Sequence, residues 1–133
     1  MANRLYQQFH QSLDHGVVSI YGYVTVGAAG AVSAFKGLGI SNVVETATGV
    51  YTVTIADSFP AFLGASAMVV FNGTSVVAAV NMKQAPTTDP GPLKSIVLNT
   101  LDFAGADVEP DSGSRIYFEF KMRNSGYVPA GGV

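Results

Sequence analysis

The residues able to do chemistry are few in this 133-residue chain. Its two histidines, His10 and His15, stand five apart, which is wrong for a zinc pair on one helical face, and neither a cysteine nor a third histidine supports them. They read as surface or interface histidines. Asp102, Asp107, Glu109 and Asp111 fall within ten residues, and oxygen ligands on a loop can hold calcium. Their spacing is not that of an EF-hand, and the intervening Ala-Gly-Ala adds no ligand, so a solvated acidic loop is the expectation. Asp57, Asp89 and Asp102 are the carboxylates that would have to meet in space for paired acid–base work on a glycoside. The chain has no Trp to build a sugar platform beside them. Gly64-Ala-Ser66-Ala-Met68 approaches a nucleophile elbow but lacks the final glycine and leads into a strand. The glycines at 27, 30, 37 and 39 fit neither phosphate-binding fingerprint, and no helix follows them to receive a phosphate. Asn72-Gly-Thr74 matches a glycosylation sequon that coincides with a turn signal. No catalytic residue, cofactor or metal site is expected.

Composition points instead to contact surfaces. Only 12% of residues are charged while 48% are hydrophobic and the mean hydropathy is +0.32. Soluble domains carry about 25% charged residues. A surface this poor in charge is either rich in small polar residues or covered by partners, and the second reading is favoured. The net charge of −2, with seven Lys and Arg scattered along the chain, opposes a nucleic-acid partner. No stretch approaches the roughly 18 apolar residues of a membrane helix, so no membrane partner is expected. Met1-Ala-Asn-Arg-Leu-Tyr shows no apolar signal-peptide segment, and with no cysteine the expectation is assembly in a reducing cytoplasm.

The elements that position these residues divide into three parts. Over residues 1–16, Leu5, Phe9 and Leu13 recur every fourth position with Tyr6 adjacent, and Gly16 stands as a stop, which predicts a short helical arm. A helix of this length is marginal alone and must dock, on its own sheet or on a neighbouring subunit. Residues 17–123 have β grammar. Val17–Val26 predicts a strand with Gly22 as a bulge or close-approach point. Ala34–Ser41 predicts one weak, bent strand. Asn42–Ala47 and Val50–Ala56 flank Thr48-Gly49 as a hairpin, with Tyr51, Val53 and Ile55 on one face, and Asp57-Ser-Phe-Pro follows as an exit turn. Asn72-Gly73 predicts a second hairpin between Ala65–Phe71 and Thr74–Met82. Prolines 86, 90 and 92 make Gln84–Leu93 a loop, Ser95–Phe103 is a further strand, and Ala104–Gly113 is the acidic loop. Arg115–Arg123 alternates cleanly: Ile116, Phe118, Phe120 and Met122 face in, and Arg115, Tyr117, Glu119, Lys121 and Arg123 face out. The glycine-rich residues 124–133 predict a flexible tail. The sum is a single all-β domain, an antiparallel β-sandwich or barrel of about seven or eight short strands with a short N-terminal helix.

Three stretches carry a resemblance: the opening Met1-Ala-Asn-Arg-Leu-Tyr-Gln-Gln-Phe, then Tyr23-Val-Thr-Val-Gly-Ala-Ala-Gly-Ala with Lys36-Gly-Leu-Gly-Ile-Ser-Asn-Val-Val, and Gly49-Val-Tyr-Thr-Val-Thr-Ile-Ala-Asp before an aromatic–Pro turn. Together they resemble the small virion structural proteins of tailed bacteriophages, most of all capsid decoration (cement) proteins. The resemblance covers residues 1–60 and is only general beyond them. It implies a non-enzymatic protein of the capsid surface, bound to the major capsid protein and to itself as a homotrimer. Under that reading Leu5, Tyr6, Phe9 and Leu13 of the arm, and Tyr127 and Val128 of the tail, are the expected interface residues. A tail, fibre or baseplate module attached to another tail protein or to a host glycan is the alternative.

Overall fold

A computed structural model describes residues 17–59, 61–73, 77–84 and 93–123. Among these described residues eight antiparallel strands form two four-stranded sheets: β1 (Val17–Val26), β2 (Val32–Leu38), β3 (Ile40–Ala47), β4 (Val50–Phe59), β5 (Ala61–Val70), β6 (Ala79–Gln84), β7 (Leu93–Leu101) and β8 (Arg115–Arg123). One sheet has the order β2-β1-β8-β5 and the other β3-β4-β7-β6. Each sheet ends in two edge strands, so the expected choice between sandwich and barrel falls to two open sheets facing one another. The expected helical arm, with Leu5, Tyr6, Phe9, Leu13, His10 and His15, and the tail with Tyr127 and Val128 lie outside the described residues.

Alternation builds the core. Ile20, Val24 and Val26 of β1 and Ile116, Phe118, Phe120 and Met122 of β8 meet Tyr51, Val53 and Ile55 of β4 and Ile96 and Leu98 of β7, all buried. In a pleated strand every second side chain shares a face, so the period-2 pattern in β4 and β8 settles which side is inside. The Phe118 and Phe120 rings stack at 5.1 Å. Gly22 and Gly37 are register partners in the β1–β2 pair. A Cβ on Gly37 would sit 2.6 Å from the Tyr21 carbonyl oxygen, and one on Gly22 would strike the Lys36 carbonyl. Gly22 is therefore a point of close backbone approach; the bulge of this pair lies at Thr25/Val26.

Four expectations are corrected. The single bent strand over 34–41 is two strands in different sheets, divided at Gly39, whose φ of +80° glycine adopts at no steric cost and whose carbonyl accepts the Ala56 N–H at 2.8 Å. Asp57-Ser-Phe is not a turn: β4 runs on to Phe59, which is buried in the core. Asn72-Gly73 is not a hairpin, because β5 and the next strand, β6, lie in opposite sheets. Asn72 is instead tied across the fold, its N–H donating to Ser114 Oγ and its Nδ2 to the Ser112 carbonyl, both at 3.1 Å. Finally Arg123, expected outside, is 4% exposed at the end of β8, between the paired positions Val17 and Ala61. The Thr48-Gly49 hairpin does form, joining Ala47 to Val50 with Gly49 at φ +67°.

Candidate interaction surface

The groups singled out for chemistry are dispersed by the fold into separate structural tasks. Asp102 Oδ1 accepts the N–H groups of Ala104 and Ala106 at 2.8 and 2.9 Å and so holds its own turn. Asp107 Oδ1 accepts Asn99 Nδ2 at 2.7 Å. Glu109 lies with Glu45 against Gly30, where a Cβ would approach Glu45 Oε1 to 2.6 Å. Asp111 flanks Gly73 and accepts the Ser114 N–H through its carbonyl. Asp57 lies three residues beyond the Thr54–Ser95 pair, and Asp102 seven residues beyond it in the opposite direction. At roughly 3.3 Å per residue these two carboxylates stand more than about 20 Å apart. Asp89 and Thr74 lie outside the described residues. Ser66 is exposed in the middle of β5, with neither histidine nor helix placed to activate it among the described residues. Among those residues, too, no group of three or more His, Cys, Asp or Glu could hold a metal, and no helix is long and apolar enough to cross a membrane.

The end of the sandwich that carries these loops is tied together by buried hydrogen bonds and close backbone packing. Tyr51, 1% exposed, donates its hydroxyl to the Gly30 carbonyl at 2.9 Å. Burial, then the nearby Glu45 and Glu109 carboxylates, push its phenol well above the ordinary range. Thr100, fully buried, donates its hydroxyl to the Val108 carbonyl, and Gly49 packs so tightly on Val108 that a Cβ would lie 2.5 Å from its oxygen.

What the fold assembles is a surface. Cross-strand pairing on β2-β1-β8-β5 aligns Leu38 with Tyr21 and Tyr21 with Glu119, then Tyr23 with Tyr117 and Tyr117 with Met68. These side chains share the outer face. Tyr21, Leu38, Met68 and Val70 are each at least half exposed, the most open being Leu38 at 68%. The Tyr23 and Tyr117 rings meet at 5.3 Å with their planes tilted by 43°. The Arg115 guanidinium lies 5.0 Å from the centre of the Tyr23 ring and within 3.5 Å of the Tyr117 hydroxyl, a bond that favours its charged form still further. A shallow trough of about 740 Å³ runs between Tyr21, Tyr23, Met68 and Tyr117. Toward its lower rim Lys121 Nζ donates to Glu119 Oε1 at 2.9 Å and to Ser19 Oγ at 2.8 Å. That bond from Lys121 holds the exposed Glu119 carboxyl below its usual range.

Sequence reasoning placed Tyr117 outward but missed the group. The available signal was Tyr21 and Tyr23 at i, i+2 in β1, which puts two aromatics on one face whichever way the strand turns. Nothing local says that Met68 and Leu38 join them, because they arrive on the two edges of the sheet.

Comparison with known proteins brings no relative: no protein-family model, curated protein or solved structure matches this chain.

Proposed function

We propose that this chain is a structural protein of a tailed-bacteriophage virion, a decoration protein that binds the outer capsid lattice and stabilises it, and not an enzyme. The observation that carries this is the uncovered apolar and aromatic face of β2-β1-β8-β5, in a chain only 12% charged. Exposed Tyr, Met and Leu side chains on a rigid sheet gain by burial, and tyrosine beside arginine is the composition of interface anchors. On a lattice each contact is repeated many times, so a shallow face suffices where an isolated pair would need a deep one. The partners are the major capsid protein and further copies of the chain, as a homotrimer, with no nucleic acid and no membrane. Assembly takes place in the host bacterial cytoplasm. The N-terminal residues 1–16, through Leu5, Tyr6, Phe9 and Leu13, and the C-terminal residues 124–133, through Tyr127 and Val128, are the segments that would reach those neighbours.

A second reading draws on the same trough. Tilted tyrosines flanked by Ser66, Glu119 and Lys121 offer stacking and hydrogen bonding to a sugar ring, as a tail or fibre module bound to a host glycan would need. Quantitative mass spectrometry of purified virions separates the two. Hundreds of copies per particle support decoration; a handful, or none, sinks it.

A further inference from the structure

The four edge strands of this fold are not alike. β2 carries Lys36, β3 carries Glu45 and β6 carries Lys83; β5, Ala61-Phe-Leu-Gly-Ala-Ser-Ala-Met-Val-Val70, carries no charge and at ten residues is the longest of the four. Charged side chains on an edge are a usual means of preventing one sheet from adding to another, and β5 lacks them. Among the described residues it pairs on one side only, with β8. From Phe62 to Val70 no residue is buried, and even Ala65, paired beside the core residue Phe120, is exposed. Gly64–Val70 keeps unbroken register with β8, the irregularity being confined to Phe62/Gly64. This leaves a straight edge of about 20 Å.

We propose that β5 is the seam through which two copies of the chain pair, antiparallel and about a two-fold axis at Ala67, into one continuous eight-stranded sheet. The occupant is a second copy because this edge is complementary to itself. With Ala67, the midpoint of the unbroken run, on the axis, Gly64 meets the partner's Val70, Ala65 meets the partner's Val69, and Ser66 meets the partner's Met68. Each larger side chain faces a small one, outer positions meet outer positions, and no like charges oppose. The contact is isologous and closes at two copies, so the exposed edge is consumed and does not propagate. It also draws the two tyrosine troughs, with Met68 and Val70 at the seam, onto one continuous face. The pairing goes beyond the trimer of the proposed function: it is a separate, two-fold contact and generates even-numbered assemblies.

The test uses the full-length chain, which contains no cysteine. Light scattering is expected to give an even multiple of the 13.8 kDa chain mass. The double variant Ser66→Lys/Met68→Lys, which sets lysine against lysine across the seam, is expected to halve that mass with the circular dichroism spectrum unchanged. Directly opposed strand residues lie within disulfide reach, so Ala67→Cys is expected to form a disulfide-linked dimer under mild oxidation, while Lys36→Cys on the β2 edge does not. An odd-numbered wild-type mass that the lysine pair leaves unchanged overturns the seam, as does Ala67→Cys cross-linking no better than Lys36→Cys. Failure of the seam in a chain abundant on virions leaves the decoration reading standing. A seam that forms in a chain absent from virions removes the decoration reading alone.

Discussion

The two sheets share strand number and an inner face of Val, Ile, Leu and aromatic residues, yet their outer faces differ. On β3-β4-β7-β6 the outward positions include Asn42, Val44, Thr52, Thr54, Asn81, Ser95, Val97 and Leu101, most of them small or polar and none of them charged. On β2-β1-β8-β5 large and charged residues, Tyr21, Tyr23, Lys36, Leu38, Met68, Arg115, Tyr117, Glu119 and Lys121, stand among the small Ser19, Thr25, Ala34 and Ser66. Threonine and asparagine on a pleated surface are satisfied by water and by their cross-strand neighbours, and have little to gain from a partner. Long aromatic and aliphatic side chains held on a rigid sheet keep that gain in reserve. The β3-β4-β7-β6 face thus accounts for much of the low charge of the chain, while the other face sets exposed Tyr21, Leu38 and Met68 among its charged residues.

Substitutions test that division. The largest effect belongs to the shared core: Phe120→Ala is expected to cost about 3–5 kcal/mol in chemical denaturation, since Phe120 is fully buried. Tyr117→Ala, on the outward face of the same strand, is expected to cost under about 1 kcal/mol. Equal costs would mean that the outer face is already structural and would break the comparison. Next is Gly22→Ala, expected to cost about 1–3 kcal/mol, because the added Cβ meets the Lys36 backbone across β1–β2 and that neighbour cannot swing away. Loss of amide protection confined to β1 and β2 in hydrogen exchange would confirm the site of the damage.

Tyr51→Phe leaves the Gly30 carbonyl without its buried donor and is expected to cost about 1–3 kcal/mol. The pH dependence follows in sign. The folded phenol is raised above its unfolded value of about 10, so its contribution is complete below that pH and is lost as pH rises toward the folded value. The wild type should therefore lose stability in the alkaline range, and Tyr51→Phe should lose less. Smaller again, the pair Tyr21→Ser/Met68→Ser is expected to change stability by no more than about 0.5 kcal/mol while weakening attachment to purified capsids. Thr52→Ser/Thr54→Ser on the opposite sheet should leave attachment intact. Weakening by both pairs alike would end the distinction between the faces.

The smallest effect concerns Glu119, whose carboxyl is lowered by the bond from Lys121. Its contribution is present above the unfolded carboxyl pKa and is lost as pH falls through the lower folded value. Carboxyl NMR titration should show that value returning toward normal in Lys121→Met. At so exposed a pair the accompanying change in stability should be slight.

Local chemistry was legible wherever the physics is local. Tyr51-Thr-Val-Thr-Ile55 and Ile116-Tyr-Phe-Glu-Phe120 declare an inner face by alternation, and Thr48-Gly49 declares its turn by the conformation glycine alone adopts freely. Where a signal has two physical outlets the sequence could not choose between them. Asn72-Gly73 is a strong hairpin dipeptide, but Asn72 bonds to residues forty and more positions away, and the chain crosses to the other sheet. Gly39 turns a single apparent strand into two for the same reason, since which sheet receives Ile40–Ala47 depends on what is already packed there. Arg123 follows the outward parity of its strand and is nonetheless buried, unlike Tyr117, Glu119 and Lys121 on the same strand.

The same boundary runs through the surface. Sequence alone determined an all-β domain, its core residues and its shortage of charge, because alternation and composition act residue by residue. Only the tertiary structure decided that Leu38, Tyr21, Tyr23, Tyr117 and Met68 form one face, and that the uncharged strand β5 lies at an edge. Strand order is set by packing between segments up to a hundred residues apart, and no window along the chain contains it.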